Sequence, residues 1–526
     1  MAYSRYPHLE WYESSPGRWE REIDEAEQFY TYMAKLYEGT GRMAFAMTGF
    51  MSLSVQVSKD SVPQTTSRMI EDALRQAWLR LRFEHPTIAS YVDYDVEQGK
   101  WLKSYTAFHR DSVDAQIEQW LDATFVLVDS RVSGIEWCNL DPLAPKLPTL
   151  FVISPASTQE ESTEKIRRDL VIRSPHDIMD GLGTLQLLAN LLKHASETFE
   201  NPKSWSLTTP GSEYRNLSPP LRIAAGIPPI LALEQQDRLQ SIISRNILSR
   251  QSIETMALPF KRGPTIPGKH QRIAQEFSAP DTTHLLQACK NINATITHVY
   301  HAAVACALRD LQLRTQQSRQ TRFISYALIN ERPKCTKPYS TPRHAASVYH
   351  SVSGANLVLD LTIPSINQQV ESQSHQVFQA EFLTLVEQVQ IFYHAIQNDK
   401  HHIALAPSFF SMLTPHILNP TSAPHQRPIP APNDAPSVSI SSLGVIDEIV
   451  TPRHGRFEVD NAWVAGEELG TGLGVFLGTW RGKLQVSAVW NEAWHDEGEV
   501  CEFLDACREV VWRGLGLGSV MAKGEE

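Results

Sequence analysis

Arg168-Asp169-Leu170-Val171-Ile172-Arg173-Ser174, then Pro175, then His176-Asp177-Ile178-Met179-Asp180-Gly181-Leu182-Gly183: this stretch decides how the 526-residue chain is read. The run 168–174 predicts a strand, and Pro175 ends it because proline cannot donate to a ladder. Over 184–199, Leu185, Leu188, Leu191 and Leu192 recur on one side, which predicts an amphipathic helix. The segment between is therefore a strand-to-helix turn, a place where rigid elements display reactive side chains. Bare HxxxD says little, since the 19 histidines give roughly one such spacing by chance. A glycine directly after it lowers that expectation to about 0.04, and the flanking strand and helix lower it further.

The chemistry this pattern offers is general-base catalysis. A neutral imidazole takes a proton from an alcohol or amine, which then attacks a carbonyl. Asp180 can fix the turn by pairing with a cation elsewhere, and Gly181 permits a close approach or backbone geometry that a side chain would block. The plain alternative is a packed histidine, with Asp180 as the N-cap of a helix beginning near Leu182.

Working outward, the chain is too long for one core, which stops growing at roughly 250–300 residues. Composition is globular, with 42% hydrophobic and 20% charged residues. A net charge of −11 and the lack of a Lys/Arg-rich run argue against a nucleic-acid partner. No apolar signal core opens the chain and no stretch of about 18 apolar residues occurs, so neither secretion nor a membrane span is expected, and the cytoplasm is the default location. The six cysteines, Cys138, Cys289, Cys306, Cys335, Cys501 and Cys507, form no C-x-x-C pair and read as free thiols.

Periodicity predicts helices over 23–36, 69–81, 184–199, 283–309, 365–399 and 497–514, with a helical stretch near 231–257. Strands are expected at 43–57, 88–95, 101–107, 147–154, 168–174, 271–277, 322–330, 437–441, 473–480 and 484–490. Residues 201–235 are rich in Pro, Ser and Gly and read as the link between two halves: 1–210, a linker at 211–235, and 236–526. Residues 405–436 carry eight prolines and read as a crossing loop that is neither helix nor central strand.

Ser174-Pro175-His176-Asp177-Ile178-Met179-Asp180-Gly181 resembles the HxxxDG motif of the CoA-dependent acyltransferase superfamily, which includes plant BAHD acyltransferases, peptide-synthetase condensation domains and fungal trichothecene O-acetyltransferases. Gly17-Arg18-Trp19-Glu20-Arg21-Glu22 is similar to the opening of the fungal members. The helix ending Leu81-Arg82-Phe83-Glu84-His85-Pro86 is similar to their first core helix. Val438-Ser439-Ile440-Ser441-Ser442-Leu443-Gly444 resembles the strand and turn beside their channel, and Gly482-Lys483-Leu484 with Trp490-Asn491-Glu492 resembles a late hairpin. The likeness spans nearly the whole chain and is nearest to trichothecene 15-O-acetyltransferase-like enzymes. Two departures stand out: Pro175 fills the first histidine place of condensation domains, and the DFGWG segment of plant members is absent.

The resemblance implies two similar chloramphenicol-acetyltransferase-like α/β domains, each a mixed sheet flanked by helices, with the active-site channel between them. It implies His176 as general base, Asp180 and Gly181 as supports, and Arg332 as the partner of Asp180. Ser439 and Ser441 would face the channel. It further implies an acetyl-CoA or other acyl-CoA co-substrate, no permanently bound cofactor, a small-molecule alcohol acceptor of terpenoid or polyketide type, and a monomer. Two alternatives stay open: a condensation-like enzyme that uses a carrier-protein-bound donor or forms an amide, and a non-transferase cyclase or binding protein on the same scaffold.

Other constellations fail. Gly181-Leu182-Gly183 has Gln186 at the third place of a dinucleotide fingerprint, Gly482-Lys483 lacks the rest of a P-loop, and no G-x-S-x-G occurs. His298 and His301 lack a third ligand nearby and read as packing residues, so no metal is expected. His401-His402 reads as a solvated turn.

Overall fold

The computed structural model describes residues 5–57, 62–155, 165–206, 209–367, 375–415 and 437–517. Its N-terminal lobe contains α1 (Glu25–Lys35), β1 (Met47–Gln56), α2 (Pro63–Glu84), β2 (Phe125–Asp129), α3 (Gly134–Asn139), β3 (Thr149–Ser154), β4 (Lys165–Ser174) and α4 (Gly181–Glu200). Its C-terminal lobe contains β5 (His270–Glu276), α5 (Ala279–Asn291), α6 (Ile296–Asp310), β6 (Arg319–Ser325), β7 (Leu328–Asn330), β8 (His350–Val352), β9 (Leu357–Ile363), α7 (His375–Gln397) and α8 (His402–Leu413). β10 (Val438–Val445), β11 (Arg453–His454), β12 (Phe457–Gly466), β13 (Leu473–Trp480), β14 (Lys483–Asn491) and α9 (Glu497–Leu515) complete it.

β1 is buried along its length except at Gln56, as a central strand must be. It lies between β4 and β12 in a mixed six-stranded sheet of order β11-β12-β1-β4-β3-β2. β12 comes from far down the chain, yet it pairs antiparallel with β1 from Phe457↔Val55 to Gly466↔Met47. The lobes thus share a strand. α2 and α4 cover one face of this sheet, with Ile70, Leu74, Trp78, Leu185, Leu188 and Leu192 fully buried. The second sheet, β5-β14-β13-β10, is also mixed, since β10 and β13 run parallel. α6, α7 and α9 pack into the core of that lobe.

Several sequence readings are corrected. The helix expected over 283–309 is two, α5 and α6. Asn293 adopts φ 53°, and Thr295 caps α6 by accepting from His298 N–H, so Asn and Thr act as stop and start. The strand expected over 322–330 breaks into β6 and β7. The helical stretch near 231–257 is a helix at Leu233–Leu248 followed by the short strand Glu254–Thr255. The proline-studded segment is not all loop: α8 spans His402–Leu413 with Pro407 inside it. One interior proline costs about 3 kcal/mol, whereas each buried large side chain returns about 1.5–3. Leu405, Phe409 and Phe410 are all buried, so packing wins. Residues 416–436 of that segment lie outside the described residues.

The connection near 211–235 is pinned to both lobes. Glu213 accepts from Tyr105 Oη and Phe108 N–H, while Leu221, Ala224 and Ile227 pack with Cys335 and Tyr349. All six cysteines are free. Among the described residues no helix is long and apolar enough to cross a membrane.

Candidate active site

β4 delivers the turn. Ser174, at its end, pairs with Met47 of β1, and Pro175 stops the ladder. Ile178 and Met179 are fully buried in the core of the N-terminal lobe and anchor the turn. His176, two residues before these anchors, stays partly exposed.

Asp180 begins α4 and does two jobs. One carboxylate oxygen accepts from Gly183 N–H at 2.7 Å, an N-cap. The other accepts from Arg332 Nη1 at 2.7 Å and from Tyr349 N–H at 2.8 Å. The N-cap and the cation partner are thus not alternatives. Arg332 holds the Asp180 carboxyl far below the ordinary carboxylate range, although burial alone would raise it. Arg332 also reaches Ser347 Oγ at 3.3 Å, so the pair clamps the N-terminal lobe to the other.

The steric demand for glycine falls at Gly183, not Gly181. A Cβ on Gly183 would stand 2.2 Å from the carbonyl oxygen of Ala345 and 2.8 Å from Arg332 Nη2. A Cβ on Gly181 would meet nothing closer than 3.6 Å.

The face of His176 is set by residues that motif reading passed over. The Tyr30 ring stacks on the imidazole, with centroids 3.7 Å apart and planes 5° apart. Tyr30 Oη lies 2.7 Å from His350 Nε2, and His350 Nδ1 lies 3.8 Å from Asp180. Burial keeps the Tyr30 phenol protonated, and the His350 ring bridges from its hydroxyl toward the Asp180 carboxylate. Phe410 packs edge-on to His350, and Phe29 and Phe45 flank Tyr30. Phe45 takes φ 62°, a strained conformation for an aromatic residue and one that concentrates at functional sites. Tyr30 lies on α1 and His350 on β8, distant in sequence from the motif, so no local spacing signals them.

Burial, and next the neighbouring His350, lowers the His176 imidazole to about 3, so the ring is neutral near pH 7. Its Nδ1 is enclosed without a well-aligned partner, although its own main chain is close enough to favour the protonated form slightly. The accessible edge is therefore the Nε2 edge.

Beneath the turn lies a charged network. Thr31 Oγ1 donates to Asp177 at 2.8 Å, and Lys103 Nζ donates to the Asp177 carbonyl at 2.6 Å. Lys103 also pairs with Glu27, which Arg21 grips through two bonds of 2.6 and 2.7 Å. These groups fix the turn at Asp177, directly after His176.

Ser439 and Ser441 alternate along β10 with buried Val438 and Ile440, on the less buried face. Ser439 hydrogen-bonds Tyr326, whose phenol is close enough to Tyr30 to raise its pKa. Ser441 lies opposite Phe476 on β13, and no hydrogen bond ties it to the His176 cluster among the described residues. His298 and His301 pack on Tyr393 of α7, with His301 Nε2 3.0 Å from its hydroxyl. His402 is buried, not solvated, and meets Ser351 Oγ at 2.9 Å and Glu331 at 3.0 Å. No group of three or more metal-ligating side chains gathers among the described residues.

The two-lobed architecture is that of solved acetyltransferase and condensation-domain structures. The particular likeness is to fungal acetyltransferases. The chain is 26% identical over 497 residues to the O-acetyltransferase pigM of Monascus ruber, covering 94% of this chain and 85% of that protein. It is 22% identical over 520 residues to the acetyltransferase pigO of the same organism, covering 97% and 99%. The structure of the trichothecene 15-O-acetyltransferase TRI3 from Fusarium sporotrichioides superposes with TM-score 0.76 at 17% identity, covering 96% of this chain and 97% of that one. The first condensation domain of the CDA synthetase gives TM-score 0.58 at 13% identity, covering 94% and 96%. No protein-family model matches the chain.

Proposed function

We propose that this protein is an O-acyltransferase that moves an acetyl group from acetyl-CoA to a hydroxyl of a small secondary metabolite, with His176 as general base. The observation that carries the proposal is the His176 ring itself: neutral, stacked on Tyr30, and open at Nε2. The fungal acetyltransferases similar over nearly the whole chain supply the reaction type.

In this reading Nε2 takes the hydroxyl proton as the acceptor oxygen bonds to the thioester carbon. The resulting oxyanion collapses, the C–S bond breaks, and His176 returns the proton to the thiolate. No covalent acyl-enzyme forms. Asp180, held by Arg332 and Tyr349 N–H, fixes the turn and does not exchange protons. Ser439 and Ser441 are proposed to contact substrate from β10. The acceptor is proposed to be an alcohol of terpenoid or polyketide type, and the protein a cytoplasmic monomer divided at 1–210 and 236–526. The higher TM-score for the acetyltransferase favours a CoA-borne donor over a carrier-borne one.

The test is thiol release from acetyl-CoA in the presence of a panel of terpenoid and polyketide alcohols. Release that depends on an added alcohol supports the proposal; silence with the whole panel opposes it.

A further inference from the structure

Buried cations in folded proteins are paired, because an unpaired one forfeits its hydration. Arg272 on β5 breaks this rule. The residue is 7% exposed, yet its Nε–H is buried without an acceptor and no carboxylate pairs with its guanidinium among the described residues. Its main chain pairs with Val489 of β14 and exchanges two hydrogen bonds with the Asn139 side chain. The guanidinium lies 3.8 Å from the ring centroid of Trp463 on β12. The Trp463 Nε1–H is likewise buried without an acceptor. Two neighbouring donors thus await an acceptor at the seam between the sheets of the two lobes.

The surrounding groups do not neutralise the charge. Arg173 is paired with Glu467 at 2.7 Å. His270 is lowered to about 3 by burial and by the adjacent arginines, so it is neutral. Burial pushes the Cys138 thiol up to about 12, so it is neutral too. Burial lowers Arg272 itself to about 9, which leaves it protonated near pH 7. Phe50 stacks on Trp463, and Val489 of β14 pairs with Arg272 of β5. A planar cation on an indole face suits one flat anion.

We propose that Arg272 and Trp463 form a carboxylate-binding site between the lobes that holds one of the two reactants. Trp463 stands three residues along β12 from Gly466, which pairs with Met47 beside the His176 turn, and three strand residues span ~10 Å. That is within the length of a small substrate whose other end is at His176, so the assignment of reactants rests on the acyltransferase reading. The carboxylate belongs either to the acceptor or to a dicarboxylic acyl donor.

The test is calorimetric binding to the full chain, using two matched probe pairs: malonyl-CoA against acetyl-CoA, and 4-(hydroxymethyl)benzoate against its methyl ester. In wild type, the charged member of one pair binds tighter by about tenfold to a thousandfold. Arg272→Met erases that preference and leaves the uncharged member within about twofold of wild type. Preference in the CoA pair places the site on the donor side, and preference in the benzoate pair places it on the acceptor side. Arg272→Met unfolds at the same or a higher temperature, since it removes an unpaired buried charge. Should that variant fail to fold, Arg272→Lys keeps the charge and loses the flat stack, and is expected to retain only part of the preference. His176→Ala keeps the full preference, which separates this site from the fate of the acyltransferase reading. The proposal is overturned by no charge preference in either pair, by a preference that survives Arg272→Met, or by a lowered melting temperature with unchanged binding.

Discussion

Replacing Asp180 by Asn isolates the charge at the centre of the lobe clamp. Asparagine caps a helix about as well as aspartate, so the bond from Gly183 N–H survives. What is lost is the negative partner of Arg332, whose remaining side-chain hydrogen bonds go to Ser347 Oγ at 3.3 Å and Ser347 O at 3.5 Å. Stranding one member of a buried pair costs about 3–5 kcal/mol. Arg332→Met is milder, because Asp180 keeps the N–H groups of Gly183 and Tyr349. The double variant buries no charge, so it should cost less than the sum of the singles by about 2–3 kcal/mol. Amide exchange at Gly183 and Tyr349 reads this locally. At about 1.4 kcal/mol per tenfold, Asp180→Asn should speed exchange by roughly a hundredfold to several thousandfold. Singles that add to within about 0.5 kcal/mol would refute the clamp.

Three further outcomes follow from the same geometry. Gly183→Ala drives a Cβ into the Ala345 carbonyl and should cost about 1–3 kcal/mol or more, whereas Gly181→Ala should be neutral or slightly stabilising; chemical denaturation of the two compares them directly. Tyr30→Phe loses the bond to His350 but keeps the stack, and should lower kcat/KM by up to about tenfold; Tyr30→Leu loses both and should lower it further. With His176 lowered to about 3, kcat/KM should hold steady down through pH 6, with its acid limb below the ordinary histidine range. Stability carries the matching sign. His176 and His270 are buried neutral with folded values near 3, so their contribution is complete above about pH 6.5 and is lost as pH falls toward 3. Melting temperature followed across that window checks it.

The elements with strong local signals were legible in sequence. The leucine spacing of α4, the apolar run of β4 and the proline between them place His176 on a strand-to-helix turn without any tertiary information. Asp180 was legible as a cap from its position alone. What escaped was whatever depends on contacts between distant segments. β12 carries Asn461 and Gly466 and lacks clean alternation, yet it is drawn into the centre of the N-terminal sheet by pairing with β1. Tyr30 looks like one more apolar position on α1, and only the fold brings it over His176. His350 and His402 carry no motif, and Arg272 reads as an ordinary strand arginine until its lack of a partner is seen. Pro407 shows the reverse failure, where a strong local signal is overridden by the burial of Phe409 and Phe410.

In the proposed reaction His176 moves the proton. The most direct measurement compares wild type with His176→Ala for acceptor-dependent release of CoA from acetyl-CoA, at saturating concentrations of both reactants. With His176 as the base, kcat should fall by about 10²–10⁴ while binding of acetyl-CoA is little changed. Equal turnover in the two proteins would contradict it and remove His176 from the chemistry.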